Sequence, residues 1–223
     1  MLMDPYQFQT VKIERILRES KRAVSVCLEL PSNYTFEPGQ HAVVRVTMPG
    51  GSKLVRQYSF SAPESVGKLW LTVVQEPDGQ VSTWFTKTAK AGDTVEVSHP
   101  FMGPLVQKYP REQICMIAGG SGIAPIMAHI RKLREEGLPF TLLYSTRSDE
   151  RCFKDELVPL PGEKITIRLT DTNLRFTESE VTRELSGRST VYICGSRPFV
   201  VAIRSYCETT ISPDRVYGEA FSL

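Results

Sequence analysis

Long apolar runs are missing: nothing in the 223 residues approaches the ~18 consecutive apolar positions that cross a bilayer. The opening Met1-Leu2-Met3-Asp4-Pro5 has no basic segment leading into an apolar stretch, so no secretory signal is read there. An excess of one charge is missing too. The 27 basic and 25 acidic residues give a net charge of +2, with neither sign gathered into a run. Nucleic acid and an anionic membrane are therefore not expected partners. Histidine is scarce, and His41, His99 and His129 share no spacing with a nucleophile or a metal set, so each is expected to be structural or exposed. Cys27, Cys115, Cys152, Cys194 and Cys207 are scattered, with no Cys-x-x-Cys pair. That pattern fits free thiols in a reducing cytoplasm and speaks against disulfides or zinc. An iron–sulfur cluster needs a compact multi-cysteine run. Electron transfer by this chain would have to run on an organic cofactor.

The length exceeds the usual ~100–150-residue domain, so two domains of about a hundred residues each are expected. Their rhythms differ. From Gln7 to about Ser98, short β-rich segments alternate with turn signals such as Glu37-Pro38-Gly39 and Pro77-Asp78-Gly79, the pattern of an antiparallel barrel or sandwich. One short helix interrupts them over 83–87, with Ser82 expected as its N-cap. From Ile114 onward strands alternate with helices. Ile114-Cys115-Met116-Ile117-Ala118 reads as a strand buried on both faces, and the whole stretch as a doubly wound sheet of five parallel strands. The boundary falls between Pro104 and Arg111, giving domains of 1–106 and 107–223.

Three clusters carry chemistry. Gly119-Gly120-Ser121-Gly122-Ile123-Ala124-Pro125 joins a buried strand to a helix. Glycines there let a backbone approach a pyrophosphate, the helix offers free N–H groups, and Pro125 sits where a missing N–H costs nothing. Alone, the same turn could serve only as a tight connection. Cys194-Gly195-Ser196-Arg197-Pro198 ends another parallel strand, at the edge where doubly wound sheets bind ligands. Arg56-Gln57-Tyr58-Ser59 offers an anion-binding guanidinium, a stacking ring and a hydroxyl. Alternation puts Arg56 and Tyr58 on one strand face and Gln57 and Ser59 on the other, unless a twisted strand end turns all four toward one ligand.

In this order the clusters resemble the ferredoxin–NADP⁺ reductase superfamily over nearly the whole chain. The resemblance implies a flavin-binding barrel followed by a nicotinamide-binding α/β domain. By the match Arg56 would hold flavin phosphate, Tyr58 would stack on the isoalloxazine and Ser59 would sit near its N5, with Gln57 between them. Gly79-Gln80-Val81-Ser82-Thr83 is similar to the second flavin motif, in which Gly79, Val81, Ser82 and Thr83 would bind flavin phosphate at a helix start. Gly119, Gly120, Ser121, Gly122, Ile123 and Pro125 match the pyridine-nucleotide pyrophosphate loop. Cys194, Gly195 and Pro198 match the motif that sets a cysteine beside the nicotinamide. Thr146 and Arg147 fit the segment that meets the adenosine end. Gly218-Glu219-Ala220-Phe221 is similar to a Glu-x-Phe terminus, with Phe221 near the flavin ring.

The resemblance implies hydride transfer from NADH or NADPH to FAD, ahead of FMN, in a site lined by Ser59, Cys194, Glu219 and Phe221. Electrons would pass to a separate iron–sulfur or haem protein. A reductase of free flavin, and a non-catalytic electron-transfer subunit of a larger complex, are the competing readings. The family's Gly-Pro-x-Gly loop reads His99-Pro100-Phe101-Met102-Gly103 here.

Overall fold

Period-two burial builds the first half of the chain in the computed structural model, which describes residues 6–106, 109, 113–172 and 175–221. The strands are β1 (Gln9–Arg18), β2 (Ala23–Leu28), β3 (His41–Thr47), β4 (Lys53–Ser59), β5 (Leu69–Val74) and β6 (Thr94–Val97). They form one antiparallel sheet in the order β4-β3-β6-β1-β2-β5. An isolated bridge between Phe60 and Leu71 draws the two edge strands together and curls the sheet into a barrel. In β3, Ala42, Val44 and Val46 enter the core while His41, Val43 and Arg45 take the other face. Helix α1 (Gln80–Lys87) seals the barrel with Val81, Trp84 and Phe85.

The second half is a five-stranded parallel sheet made of β7 (Ile114–Gly119), β8 (Phe140–Thr146), β9 (Glu163–Leu169), β10 (Thr190–Ser196) and β11 (Val216–Phe221). Its order is β11-β10-β7-β8-β9. Helix α2 (Ile123–Glu135) packs on one face; α3 (Glu178–Arg183) and α4 (Arg197–Cys207) pack on the other. The chain leaves β7 toward β8 on one side and later returns to β10 on the other. The carboxyl ends of β7 and β10 therefore flank the crevice in which such sheets bind ligands. Among the described residues no helix is long and apolar enough to cross a membrane.

Several local expectations are corrected. Helix α1 begins at Gln80 with Gly79 as N-cap, not at Thr83 with Ser82. Ser82 lies inside the first turn, where its hydroxyl accepts from Glu76 N–H and donates to the Gly79 carbonyl, both at 3.1 Å. That arrangement lets the helix start three residues early. Strand β1 escapes the alternation rule because a bulge between Ile13 and Arg15 breaks its period. Helix α3 has a capping box between Thr177 and Glu180 that is visible in the sequence. The expected boundary between 106 and 107 runs into 107, 108 and 110–112, which lie outside the described residues.

The β7–α2 turn presses directly on β10. A Cβ on Gly122 would lie 2.2 Å from the Cys194 carbonyl oxygen, and one on Gly195 would lie 2.7 Å from the Phe199 ring. Backbone cannot yield as a flexible side chain would. Gly122→Ala is expected to destabilise the protein by about 1–3 kcal/mol through forced backbone displacement. Thermal denaturation with both proteins free of ligand tests this, and an unchanged midpoint would contradict it.

Candidate functional site

The sheet-edge crevice opens onto the barrel as a cavity of about 700 Å³. From the barrel it takes Arg56, Gln57, Tyr58 and Ser59, the last four residues of β4, so the strand's end turns both of its faces toward one space. Because β4 is an edge strand, its outer backbone groups have no ladder partner. Tyr58 is braced edge-to-face on Phe85 at 5.7 Å, which fixes the ring while leaving a face toward the cavity. Arg56 is exposed and, among the described residues, its guanidinium pairs with no carboxylate; it donates only to the Val55 carbonyl. Gly79 and Ser82 line the cavity at the start of α1, whose first turn carries no acidic residue. A Cβ on Gly79 would fall 2.5 Å from the Ser82 hydroxyl, so only glycine leaves this turn open.

The opposite wall comes from the parallel sheet: Ser121 and Ala124 after β7, Ser196 ending β10, and Glu219, Ala220 and Phe221 in β11. Gly119, Gly120 and Gly122 shape the turn behind Ser121. Gly120 adopts φ +54° with open space where its Cβ would be, and the first turn of α2 is free of acidic residues. Ile123 and Pro125 are buried in that turn. Phe199, unforeseen in the sequence, lays its ring against both Gly119 and Gly195, where the two neighbouring strands end.

Not every expected residue reaches the cavity. Cys194 is fully buried, in register with Glu219, and Ser196 two residues on takes the place at the surface. Gly195 is buried and Pro198 is exposed, neither of them lining the cavity, and Val81 is committed to the barrel core. Thr83 opens instead onto a neighbouring hollow. Thr146 ends β8 and Arg147 follows it, further along the sheet edge. Arg147 pairs with Asp149 at 3.3 Å, and Asp171 accepts from the Ser148 N–H at 3.0 Å and from the Ser148 hydroxyl.

Residues not expected in the site also line it, among them His41, Thr72 and Glu76. His41 stands opposite Ser59 in the β3–β4 ladder, stacked on Phe101 at 5.8 Å, and burial lowers its pKa. Only the strand register brings it there, so composition carried no sign of it.

The arrangement suits a phosphorylated, planar cofactor on the barrel side. A guanidinium without a carboxylate, a helix start free of acid, a glycine cradle and a braced aromatic face meet in one cavity. The residues fit FAD at this place.

The charge in the cavity wall is unusual. Glu219 Oε2 is sealed from solvent with no hydrogen-bond partner among the described residues, and burial pushes the carboxyl up to about 7. Burial, reinforced by Glu219, also raises the Cys194 thiol well above its ordinary range, so it is a thiol and not a thiolate. Between the ordinary 4.5 and about 7 the folded protein keeps a proton on Glu219 that the unfolded chain has released. This carboxyl therefore subtracts stability as pH rises through that window. In Glu219→Gln the loss should vanish, so urea midpoints of wild type and variant diverge from pH 4.5 to 7. Parallel midpoint curves would rule the assignment out.

Comparison with known proteins agrees with this geometry. A family model described as an oxidoreductase FAD-binding domain matches residues 10–104. The toluate 1,2-dioxygenase electron transfer component of Pseudomonas putida is 28% identical over 223 positions, covering 93% of this chain and 65% of that protein. The carnitine monooxygenase reductase subunit of Escherichia coli (strain K12) is 26% identical, covering 98% of this chain and 69% of that protein. The chain thus spans about two thirds of the length of these relatives. Phthalate dioxygenase reductase, described as a modular structure for electron transfer from pyridine nucleotides to a 2Fe–2S centre, superposes with a TM-score of 0.80 at 28% identity, covering 96% of this chain and 68% of that one. A ferredoxin NADP⁺ reductase from Neisseria gonorrhoeae with bound FAD and NADP has the same fold, with a TM-score of 0.83 at 19% identity over 96% of this chain and 98% of that one. Residues 10–104 thus match an oxidoreductase FAD-binding domain, and the chain as a whole, a barrel joined to a parallel sheet around one cavity, is similar to phthalate dioxygenase reductase.

Proposed function

We propose that the chain is an NADH-dependent flavin oxidoreductase that passes electrons through FAD to a separate iron–sulfur or haem protein. One observation carries the reading: a single cavity joins the end of β4 and the start of α1 to the carboxyl ends of β7, β10 and β11. In this assignment residues 1–106 hold flavin and residues 107–223 hold the nucleotide. Bound there, FAD would supply the hydride acceptor and the means of releasing electrons one at a time. Arg56 and the free amides of α1 would hold its phosphates, Tyr58 would support the ring, and Ser59 would border it. The turn from Gly119 to Gly122 and the start of α2 would take the nucleotide pyrophosphate. Phe221 and Glu219 close the space between the two, excluding water from it. Cys194, fully buried and protonated, supports this wall from behind. Relatives described as a dioxygenase electron transfer component and a monooxygenase reductase subunit motivate the protein acceptor. Five buried free thiols suit the reducing cytoplasm.

Charge at the end of β8 favours NADH. Arg147 could meet a 2′-phosphate, yet Asp149 pairs with it and Asp171 is fixed beside it on the adjoining loop. Two carboxylates against one guanidinium leave the place negative, which opposes a phosphate and suits ribose hydroxyls. Anaerobic titration with NADH and NADPH in parallel tests both claims. NADH should bleach the bound flavin, with a KM at least about tenfold below that of NADPH. A colourless protein that reduces only added flavin would overturn the bound-cofactor reading. Asp171→Asn should narrow the donor preference several-fold, mainly through the KM for NADPH; an unchanged ratio would remove Asp171 from donor selection.

A further inference from the structure

Two connecting segments meet across the joint between the barrel and the parallel sheet. One is the β1–β2 turn, residues 19–22; the other follows β8 and runs over 147–156 without regular secondary structure. Arg22 of the first pairs with Glu150 of the second at 2.6 Å, and Glu19 Oε2 accepts from the Phe153 N–H at 2.8 Å. The second segment opens with Arg147 and Asp149, the place assigned above to donor selection. A short run of chain thus links the donor's seat to the barrel.

Phe153 is the second observation. Its φ of +56° lies in the left-handed region, a genuine outlier for a bulky side chain. Such a conformation persists only where the surroundings over-determine it. Here both halves of the molecule do so. The ring is buried in the core shared with α2, and the Arg131 guanidinium stands 5.3 Å from its centre. The Phe153 carbonyl accepts from the Glu156 and Leu157 N–H groups at 3.1 and 2.9 Å. Its N–H is held by the barrel, through Glu19. Ser20, next to Glu19, and Arg151, next to Glu150, each bury a polar side-chain atom with no partner among the described residues. Burying such atoms costs free energy, so the closed joint depends on the bonds that cross it.

We propose that Glu19 is a positioning residue for hydride transfer: by holding the Phe153 N–H it sets the nucleotide-binding half against the flavin barrel. This rests on the flavin and nucleotide reading above and adds the contact that fixes how the two ligands meet. Hydride passes only at near-contact distance, and a misplacement of about 1 Å made far from the chemistry can cost on the order of a hundredfold in rate. Glu19 does not line the cavity and acts through Phe153 and the segment behind the donor's seat. Without its carboxylate, Phe153 is released toward negative φ and the joint opens to water at Ser20 and Arg151. Arg22 and Arg131 still hold the halves together, so register is lost and assembly is kept.

Two measurements on the full chain test this. In stopped-flow reduction of the flavin-loaded protein by NADH, Glu19→Ala should lower the limiting rate of flavin bleaching about tenfold. Its Kd values for NADH and FAD should move by less than about twofold. Glu19→Gln, which keeps an acceptor oxygen, should recover most of the rate. Independently of flavin, spin labels on Lys53→Cys and Lys164→Cys, one exposed site in each half, report the inter-half distance by pulsed electron paramagnetic resonance. The five native cysteines are buried, so the labels go to the introduced ones. Wild type and Glu19→Gln should give one narrow distance distribution, and Glu19→Ala a broadened or displaced one. A limiting rate unmoved by Glu19→Ala, a rate loss that Glu19→Gln does not recover, or an unchanged distribution would overturn the positioning role and leave the flavin assignment standing. A wild type that binds no flavin, or whose flavin NADH does not bleach, would sink the functional reading and the positioning role with it.

Discussion

Two arginines tie the barrel to the parallel sheet, and the large cavity is the space they hold open. Arg22, in the β1–β2 turn, donates to the Gln75 carbonyl and to Glu150 of the second half, each at 2.6 Å. Arg131, on α2, reaches back to the Ser61 carbonyl at 2.6 Å while paired with Glu156. Gln75 and Ser61 lie just beyond the ends of β5 and β4. The charged clamps thus grip the two edge strands that frame the site. Glu19 completes the bracing by accepting from the Phe153 N–H at 2.8 Å. Charge-assisted bonds to partly buried main chain are worth more than exposed ion pairs, because neither partner is fully solvated when they break.

Within that frame, the site depends on close backbone approach. Gly122 against the Cys194 carbonyl, and Phe199 against Gly119 and Gly195, bring β7 and β10 to the spacing at which both strand ends border one crevice. The same closeness seals Cys194, and beside it Glu219 Oε2 has no hydrogen-bond partner among the described residues. A carboxyl that keeps its proton near neutrality is a consequence of this packing. It tells the wall of the cavity apart from the charged surface around it, where carboxylates pair with arginine or lysine and stay ionised, as Glu96 does between Arg45 and Lys53.

Local patterns carried far. The buried run at β7, the glycine turn after it and the Arg56-to-Ser59 strand end are contiguous, and their chemistry follows from neighbours in sequence. The two-domain expectation matched the observed pair of sheets because period-two and strand–helix rhythms are local as well. The misses have separate causes. Strand β1 hides behind a bulge, α1 starts early because the Ser82 hydroxyl bonds to Glu76 and Gly79, and His41 enters the site through a register set by a distant strand.

The sequence by itself determined the kind of fold, the absence of any cysteine arrangement for a metal centre, and the short segments able to approach phosphate and flavin. Those depend on residue type and spacing, which backbone sterics and periodic burial translate directly into structure. Tertiary structure alone decided which of these residues share a cavity, that Cys194 lies behind the wall while Ser196 faces it, and that Asp171 comes to the loop that carries Arg147. Each of these depends on residues far apart in the chain. Burial and charge at such places are properties of the packed whole, because desolvation acts on a group only once its distant neighbours have arrived.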